Sequence, residues 1–326
     1  MTTPTQPTSL SPQATAVLAA NHPALRALLR ERVWLSTLEA KHVVAQDGTR
    51  IAYVAVGRGK KTLLLANGLG GRLYAWLPLI DHLWQDYRLI TWDYRGLYDS
   101  GIPPRRRMLA IPNHAIDAYA ILQNENAKRA VIFGWSMGVQ VALELAVTHP
   151  ETVQGLVLLN GTYGHLLSTV LQPLIAIPGL RPIVHSAIEV IRKQPLTLDT
   201  MGRLARVAVP FVARFLALLV NQSPKDLAPL VRQYTEDVLG PSFDNYLYLF
   251  QELDAHSAYH VLPAIESPTL LVSGLLDFLT PARQSYAMAH RLPNAEHLPL
   301  RRAGHFALLE KPTVVLPAID RFLSEV

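Results

Sequence analysis

Cysteine is absent from the 326 residues. That absence excludes disulfides, a thiol nucleophile and thiolate metal sites, and it fits a reducing, cytoplasmic setting. A long apolar run is missing too: the best candidate, residues 207–220, is interrupted by Pro210 and Arg214 and falls short of the ~20 residues that a membrane span needs. No Lys or Arg precedes the first apolar stretch, so the Thr- and Pro-rich start at residues 1–15 does not read as a signal peptide. The histidines are scattered without H-E-x-x-H or comparable ligand spacing, and neither a metal nor another cofactor is expected. Charge is sparse, at 17% of residues, and the net +5 is not gathered into a basic stripe interleaved with aromatics. A nucleic-acid partner is therefore not expected. Arg105-Arg106-Arg107 reads as a solvated loop.

What is present is a chain that is 50% hydrophobic and long enough to bury a large core. Two strands, 42–46 and 50–56, flank the turn at Asp47-Gly48. Strand-like runs, several of them continuous in Val, Ile and Leu, follow at 62–66, 88–92, 130–133, 153–159, 269–273 and 296–300, separated by stretches of helical spacing. Such runs predict strands covered on both faces, hence a mostly parallel central sheet with helices on either side. The alternation fails once, over residues 161–262, where helix-like segments (166–177, 183–191, 201–220 and 227–239) are punctuated by eight prolines. This segment predicts a helical cap, inserted after the sixth strand and lying over the ligand-binding end of the sheet. The expected organisation is a tail and amphipathic helix at 1–40, a core at 41–160 and 263–326, and a cap at 161–262. The basic amphipathic stretch 25–38 (Arg26, Arg30 and Arg32 against Leu28, Leu29, Trp34 and Leu35) is expected to pack on the protein's own surface. Peripheral membrane contact and dimerisation are the alternatives.

Gly134-Trp135-Ser136-Met137-Gly138 sits between a strand-like and a helix-like run. A G-x-S-x-G at that junction is a nucleophile elbow, a strained turn that lifts the serine hydroxyl clear of the sheet. Composition alone yields about 0.04 such matches in this chain. A serine needs a base within hydrogen-bond reach and an acid to orient it. His305, in Gly304-His305-Phe306, follows the last strand-like run, and Asp277 follows the run ending at Ser273. The chain order Ser136, Asp277, His305 is the order this elbow accompanies. His297 lies inside a strand-like run and His290 inside a helical one; Asn160, at a rival acid position after the sixth strand, cannot ionise. Two backbone amides, those of Leu69 and Met137, are the expected oxyanion donors, with Asn67-Gly68-Leu69-Gly70-Gly71 directly after the run 62–66.

From about residue 41 to the end, these segments resemble the α/β-hydrolase superfamily. Asp93-Tyr94-Arg95-Gly96 is similar to the D-x-R-G segment of many members, where a helper loop shapes the site. Asn67-Gly68 departs from the His-Gly of many relatives, and Ser136 departs from members with an aspartate nucleophile. The resemblance implies a serine hydrolase, with ester cleavage by a Ser136-His305-Asp277 triad as the leading activity. A thioesterase, lysophospholipase, C–C bond hydrolase, acyltransferase or cofactor-free haloperoxidase would use the same triad, and a non-catalytic ligand receptor could keep the scaffold. With eight Lys/Arg and eight Asp/Glu, residues 161–262 are charge-balanced and suit an uncharged or partly apolar small-molecule substrate.

Overall fold

A computed structural model describes residues 29, 32–168, 180–193, 200, 233–234, 237–238 and 243–326. Eight strands form one sheet: β1 (Glu39–Val44), β2 (Arg50–Val56), β3 (Lys61–Ala66), β4 (Tyr87–Trp92), β5 (Ala130–Trp135), β6 (Val153–Leu159), β7 (Thr269–Gly274) and β8 (Ala295–Leu300). Their order is β1-β2-β4-β3-β5-β6-β7-β8. Strands β3 to β8 are mutually parallel, while the β1–β2 hairpin joins β4 antiparallel. The described helices are α1 (Leu77–Leu83), α2 (Ile111–Asn124), α3 (Met137–Thr148), α4 (Leu180–Arg192), α5 (Phe243–Ala255), α6 (Ala282–Arg291), α7 (Ala307–Glu310) and α8 (Pro312–Glu325). None of them is long and apolar enough to cross a membrane.

Successive side chains of a strand point to opposite faces, and both faces here are apolar. Leu64 and Ala66 of β3 pack with Ile132, Leu158 and the inner sides of α2 and α3. Leu63 and Leu65 pack with Val131, Phe133, α1 and α8 on the other face. Leu63, Leu64 and Leu65 are all fully buried, each worth about 1.5–3 kcal/mol relative to exposure, which places β3 near the middle. From β3 the chain steps to β4 on one side and then crosses to β5 on the other. That reversal opens a crevice at the carboxyl ends of β3 and β5, where Leu69 and Ser136 follow.

Strand β1 begins at Glu39, three residues before the expected start, because its register with β2 runs from Glu39↔Ala55 to Val44↔Arg50. Of the stretch 25–38, residues 25–28, 30 and 31 lie outside the described residues. Its end is a short 3-10 helix, Val33–Thr37, rather than an α-helical continuation. Trp34 and Leu35 are buried there, and the Trp34 indole donates to Asp81 at 2.7 Å.

Of the helical runs expected between β6 and β7, 201–220 lies wholly outside the described residues and 227–239 mostly so. The described part folds back on the sheet. Gln140 on α3 donates to the Leu253 carbonyl at 3.1 Å, Asn245 donates to the Gly96 carbonyl at 2.9 Å, and His256 lies 2.7 Å from Gln140 Oε1. Arg105 and Arg107 are exposed, but Arg106 pairs with Asp244 on α5. The arginine run is therefore in part a strut to α5.

Arg95 of the D-x-R-G segment is 2% exposed. Its guanidinium grips Asp117 of α2 with two bonds of 2.7 and 2.5 Å, and it reaches Asp47 of the hairpin turn at 2.8 Å. It fastens the exit of β4 to α2 and to the β1–β2 edge. Removing one partner of such a pair leaves a buried charge uncompensated. Arg95→Ala is expected to cost about 3–5 kcal/mol in urea unfolding, against about 0.5 kcal/mol or less for Arg107→Ala on the surface.

Candidate active site

Ser136 stands between β5 and α3 with φ 56° and ψ −115°, a backbone conformation that a non-glycine residue adopts only under constraint. The constraint is the close approach of α3 to the strands. A Cβ on Gly138 would lie 2.0 Å from the Ala66 carbonyl oxygen, and one on Gly134 would lie 2.5 Å from the Gly138 oxygen. Neither contact can relax by side-chain motion, since both are with backbone. The turn therefore holds the serine above the carboxyl edge of the sheet, beside the N-terminus of α3.

His305 Nε2 lies 3.0 Å from Ser136 Oγ, and His305 Nδ1 lies 2.9 Å from Asp277 Oδ2. Three residues separated by up to 169 positions are thus joined in one hydrogen-bonded line. Asp277 is buried. Its Oδ1 accepts the amides of Leu279 and Thr280, each at 2.9 Å, and its Oδ2 also accepts Asn160 Nδ2 at 3.0 Å. Burial alone would push this carboxyl up, but the His305 imidazole and the hydrogen bonds from His305 and Thr280 outweigh it and hold it below its ordinary value. Asp254, an acid of the segment between β6 and β7, is engaged elsewhere, accepting the Leu167 amide at 2.7 Å and lying 2.7 Å from His185.

Several groups that brace this line carry no motif. Asn160, set aside as an acid because it cannot ionise, has φ 44° and links both loops. Its Nδ2 donates to the Gly304 carbonyl at 2.8 Å as well as to Asp277, and its Oδ1 accepts the Ala307 amide at 3.3 Å. Thr280 Oγ1 sits 2.7 Å from both Asp277 Oδ2 and the Asn160 carbonyl. The buried Glu310 carboxylate accepts the amides of Gly304 (2.5 Å) and Phe306 (3.1 Å), on either side of His305. The Trp135 indole donates to the His305 carbonyl at 3.0 Å, tying the elbow to the base loop. The one available signal for Glu310 is an acidic residue about a helical turn beyond the histidine; Thr280 and the new role of Asn160 leave none.

Asn67 opens the loop after β3 and is 1% exposed. Its Nδ2 donates to the Trp92 carbonyl at 2.6 Å and its Oδ1 accepts the Trp76 indole at 2.7 Å, so it locks the loop to β4. Gly68 packs so tightly on Trp135 that a Cβ would lie 2.7 Å from the indole. Among the described residues no acceptor is found for the amides of Leu69 and Met137. A cavity of about 310 Å³ lies between Arg72, Asn67, Trp92 and the β1–β2 edge, and Ser136 does not line it. Around the serine the surfaces are aromatic: Trp135 lies 5.1 Å from Phe306 and 6.3 Å from Tyr234, ring centre to ring centre.

A family model described as the alpha/beta hydrolase fold matches residues 61–312. The chain belongs to the α/β-hydrolase family. A protein of Pseudomonas syringae pv. syringae named "Putative carbamate hydrolase RutD" is 27% identical over 267 residues, 81% of this chain and 93% of that relative. A thermophilic esterase from Thermogutta terrifontis shares the fold at TM-score 0.67 and 19% identity, covering 88% of this chain and 98% of that one. The enol-lactonase from Burkholderia xenovorans LB400 does so at TM-score 0.69 and 19% identity, covering 87% and 100%.

The lowered carboxyl of Asp277 makes a stability prediction with a definite sign. Its contribution is complete above the unfolded carboxyl's ~3.9 and is lost as pH falls through the lower folded value. The stability gap between the protein and Asp277→Asn, measured by urea unfolding, is expected to be constant from pH 7 to about 5 and to narrow below about pH 4.

Proposed function

We propose that the protein is a serine hydrolase that cleaves carboxylic esters of uncharged or partly apolar substrates through an acyl-enzyme. The observation that carries this reading is the continuous line from Ser136 Oγ through His305 to Asp277, at 3.0 and 2.9 Å; the amides of Leu69 and Met137, in the loops after β3 and β5, have no protein acceptor among the described residues. Ser136 Oγ attacks the acyl carbon as His305 Nε2 takes its proton. The carbonyl oxygen becomes an oxyanion, held by the amides of Leu69 and Met137. Collapse of that intermediate breaks the bond to the leaving alkoxide, which receives the proton from His305. Water, deprotonated by His305, then releases the carboxylic acid and restores Ser136. Asp277 stays ionised throughout, fixing the imidazole's tautomer and balancing its positive form.

Residues 41–160 and 263–326 form the catalytic core in this reading, and 161–262 a cap that shapes the substrate pocket. Residues 1–40 lead into the core, and a cytoplasmic location suits the cysteine-free chain. The aromatic surroundings of Trp135, Phe306 and Tyr234 favour an apolar acyl group over a charged one. The relatives named for carbamate hydrolysis support a second reading, since a carbamate presents a carbonyl that the same serine could attack. Paired p-nitrophenyl esters and carbamates of matched size separate the two by kcat/KM.

Ser136→Ala is expected to lower kcat by about 10⁶-fold with the fold intact, and a fluorophosphonate should label one serine per chain, Ser136. Full turnover in that variant, or label on another serine, overturns the assignment. Asp277→Asn is expected to lower kcat by about 10⁴-fold. A nearly neutral Asp277→Asn with a crippled Asp254→Asn would move the acid into the inserted segment.

A further inference from the structure

Four consecutive carbonyls of the loop after β3 are each tied down. The Asn67 oxygen accepts Tyr94 Oη at 2.6 Å, the Gly68 oxygen the Gly71 amide at 2.8 Å, the Leu69 oxygen Tyr234 Oη at 2.8 Å, and the Gly70 oxygen Tyr98 Oη at 2.8 Å. Three of these anchors belong to the core. The fourth, Tyr234, comes from the segment between β6 and β7.

A trans peptide is planar, so fixing a carbonyl also fixes the amide of the next residue, which points the opposite way. Holding the Gly68 oxygen therefore sets the direction of the Leu69 N–H, the expected oxyanion donor. Holding the Leu69 oxygen sets the following peptide. That peptide is the soft point of the loop, because Gly70 has φ +78° and a glycine passes between conformations at little steric cost. Without an external anchor the Leu69–Gly70 unit could rotate and carry the Leu69 backbone with it.

Tyr234 is itself held on three sides. Its ring meets Phe306 of the base loop edge-on at 6.0 Å and Trp135 of the elbow at 6.3 Å, and its hydroxyl is hydrogen-bonded to that of Tyr246 on α5. A carbonyl can only accept, so Tyr234 gives its single hydrogen to Leu69. The contact leaves no slack: a Cβ on Gly70 would meet Val238 at 2.6 Å and Tyr246 at 3.0 Å.

We propose that Tyr234 is a positioning residue for the oxyanion loop, so that the segment inserted after β6 acts on the chemical step as well as on the choice of substrate. The proposal rests on the ester-hydrolase reading above. It changes what loss of residues 161–262 would do, since the core alone would lack the anchor on Leu69.

The test is Tyr234→Phe, which keeps the ring between Trp135 and Phe306 and removes only the hydroxyl. With a p-nitrophenyl ester, kcat is expected to fall about tenfold with KM nearly unchanged, a smaller loss than the 10² to 10³ that follows removal of a direct oxyanion donor. Affinity for a boronic acid, whose adduct on serine carries the charge of the intermediate, should fall by the same factor, while affinity for the product alcohol stays constant. Wild-type kcat in Tyr234→Phe, or a change in KM alone, overturns the proposal. If Tyr234→Phe unfolds, Tyr246→Phe serves instead, with a smaller loss of kcat expected and no loss overturning it. Fluorophosphonate labelling of Ser136 in the unaltered protein separates the two readings. An unlabelled serine refutes the hydrolase reading itself, whereas rapid labelling that is equally rapid in Tyr234→Phe refutes only the role of Tyr234.

Discussion

The site depends on how closely the first turn of α3 can approach the end of β3. With no Cβ at Gly138, the helix backbone rests against the Ala66 and Asn67 carbonyls, and that contact sets the spacing between the two loops whose amides would face an oxyanion. The same approach forces Ser136 into its positive φ. Strain of this kind, about 1–3 kcal/mol per residue, persists only where surrounding structure over-determines it. Here the surroundings are nearly all backbone: the Ser136 amide is held by the Leu159 carbonyl at 3.1 Å and that of Val139 by the Ser136 carbonyl at 3.1 Å. The serine is presented by main-chain geometry, and side chains are left free to tune the base and the acid.

Two carboxylates flank His305 and do different work. Asp277 accepts from the ring and is held below its ordinary pKa by that partner and by Thr280, against the pull of burial. Glu310 accepts the amides of Gly304 and Phe306 and fixes the backbone on both sides of the ring, while burial pushes its own carboxyl up. One acid sets the tautomer and the other sets the loop. Asn160 joins the two devices, since a single amide nitrogen donates to both Asp277 and the Gly304 carbonyl.

The middle of the sheet was legible because strands buried on both faces read as unbroken apolar runs, and all eight expected strands, including the partly exposed β1 and β8, are strands in the structure. That Ser136, Asp277 and His305 would meet was legible because each lies within five residues of the carboxyl end of a strand, so local sequence reports position in the crevice. What escaped depends on tertiary contact. Tyr234 and Glu310 act through backbone groups of other loops, and nothing in their local sequence says which carbonyl or amide they will meet. Asn160 was judged by the one property it lacks, a charge, whereas its role follows from an amide that can donate twice. Arg106 was read as solvated because a run of like charge carries no information on a partner, Asp244, lying 138 positions away. The 3-10 helix at Val33–Thr37 stands where amphipathic spacing suggested α-helix, and burial of Trp34 and Leu35 overrode the helical period.

The long separation between Ser136 and His305 has a temporal side. A ribosome extending the chain at ~5–20 residues per second makes the elbow roughly 10–30 seconds before it makes the base, because 169 positions lie between them. Through that interval β5 can already pair with β3, yet the hydroxyl has no partner to take its proton. The last sheet edge, β7 and β8, brings the acid and base loops together, with Asn160 already waiting at the end of β6. In the proposed hydrolase reading, the nascent protein therefore stays silent towards surrounding acyl compounds until its final strands dock, and completion of the sheet is also the moment at which the serine would be armed.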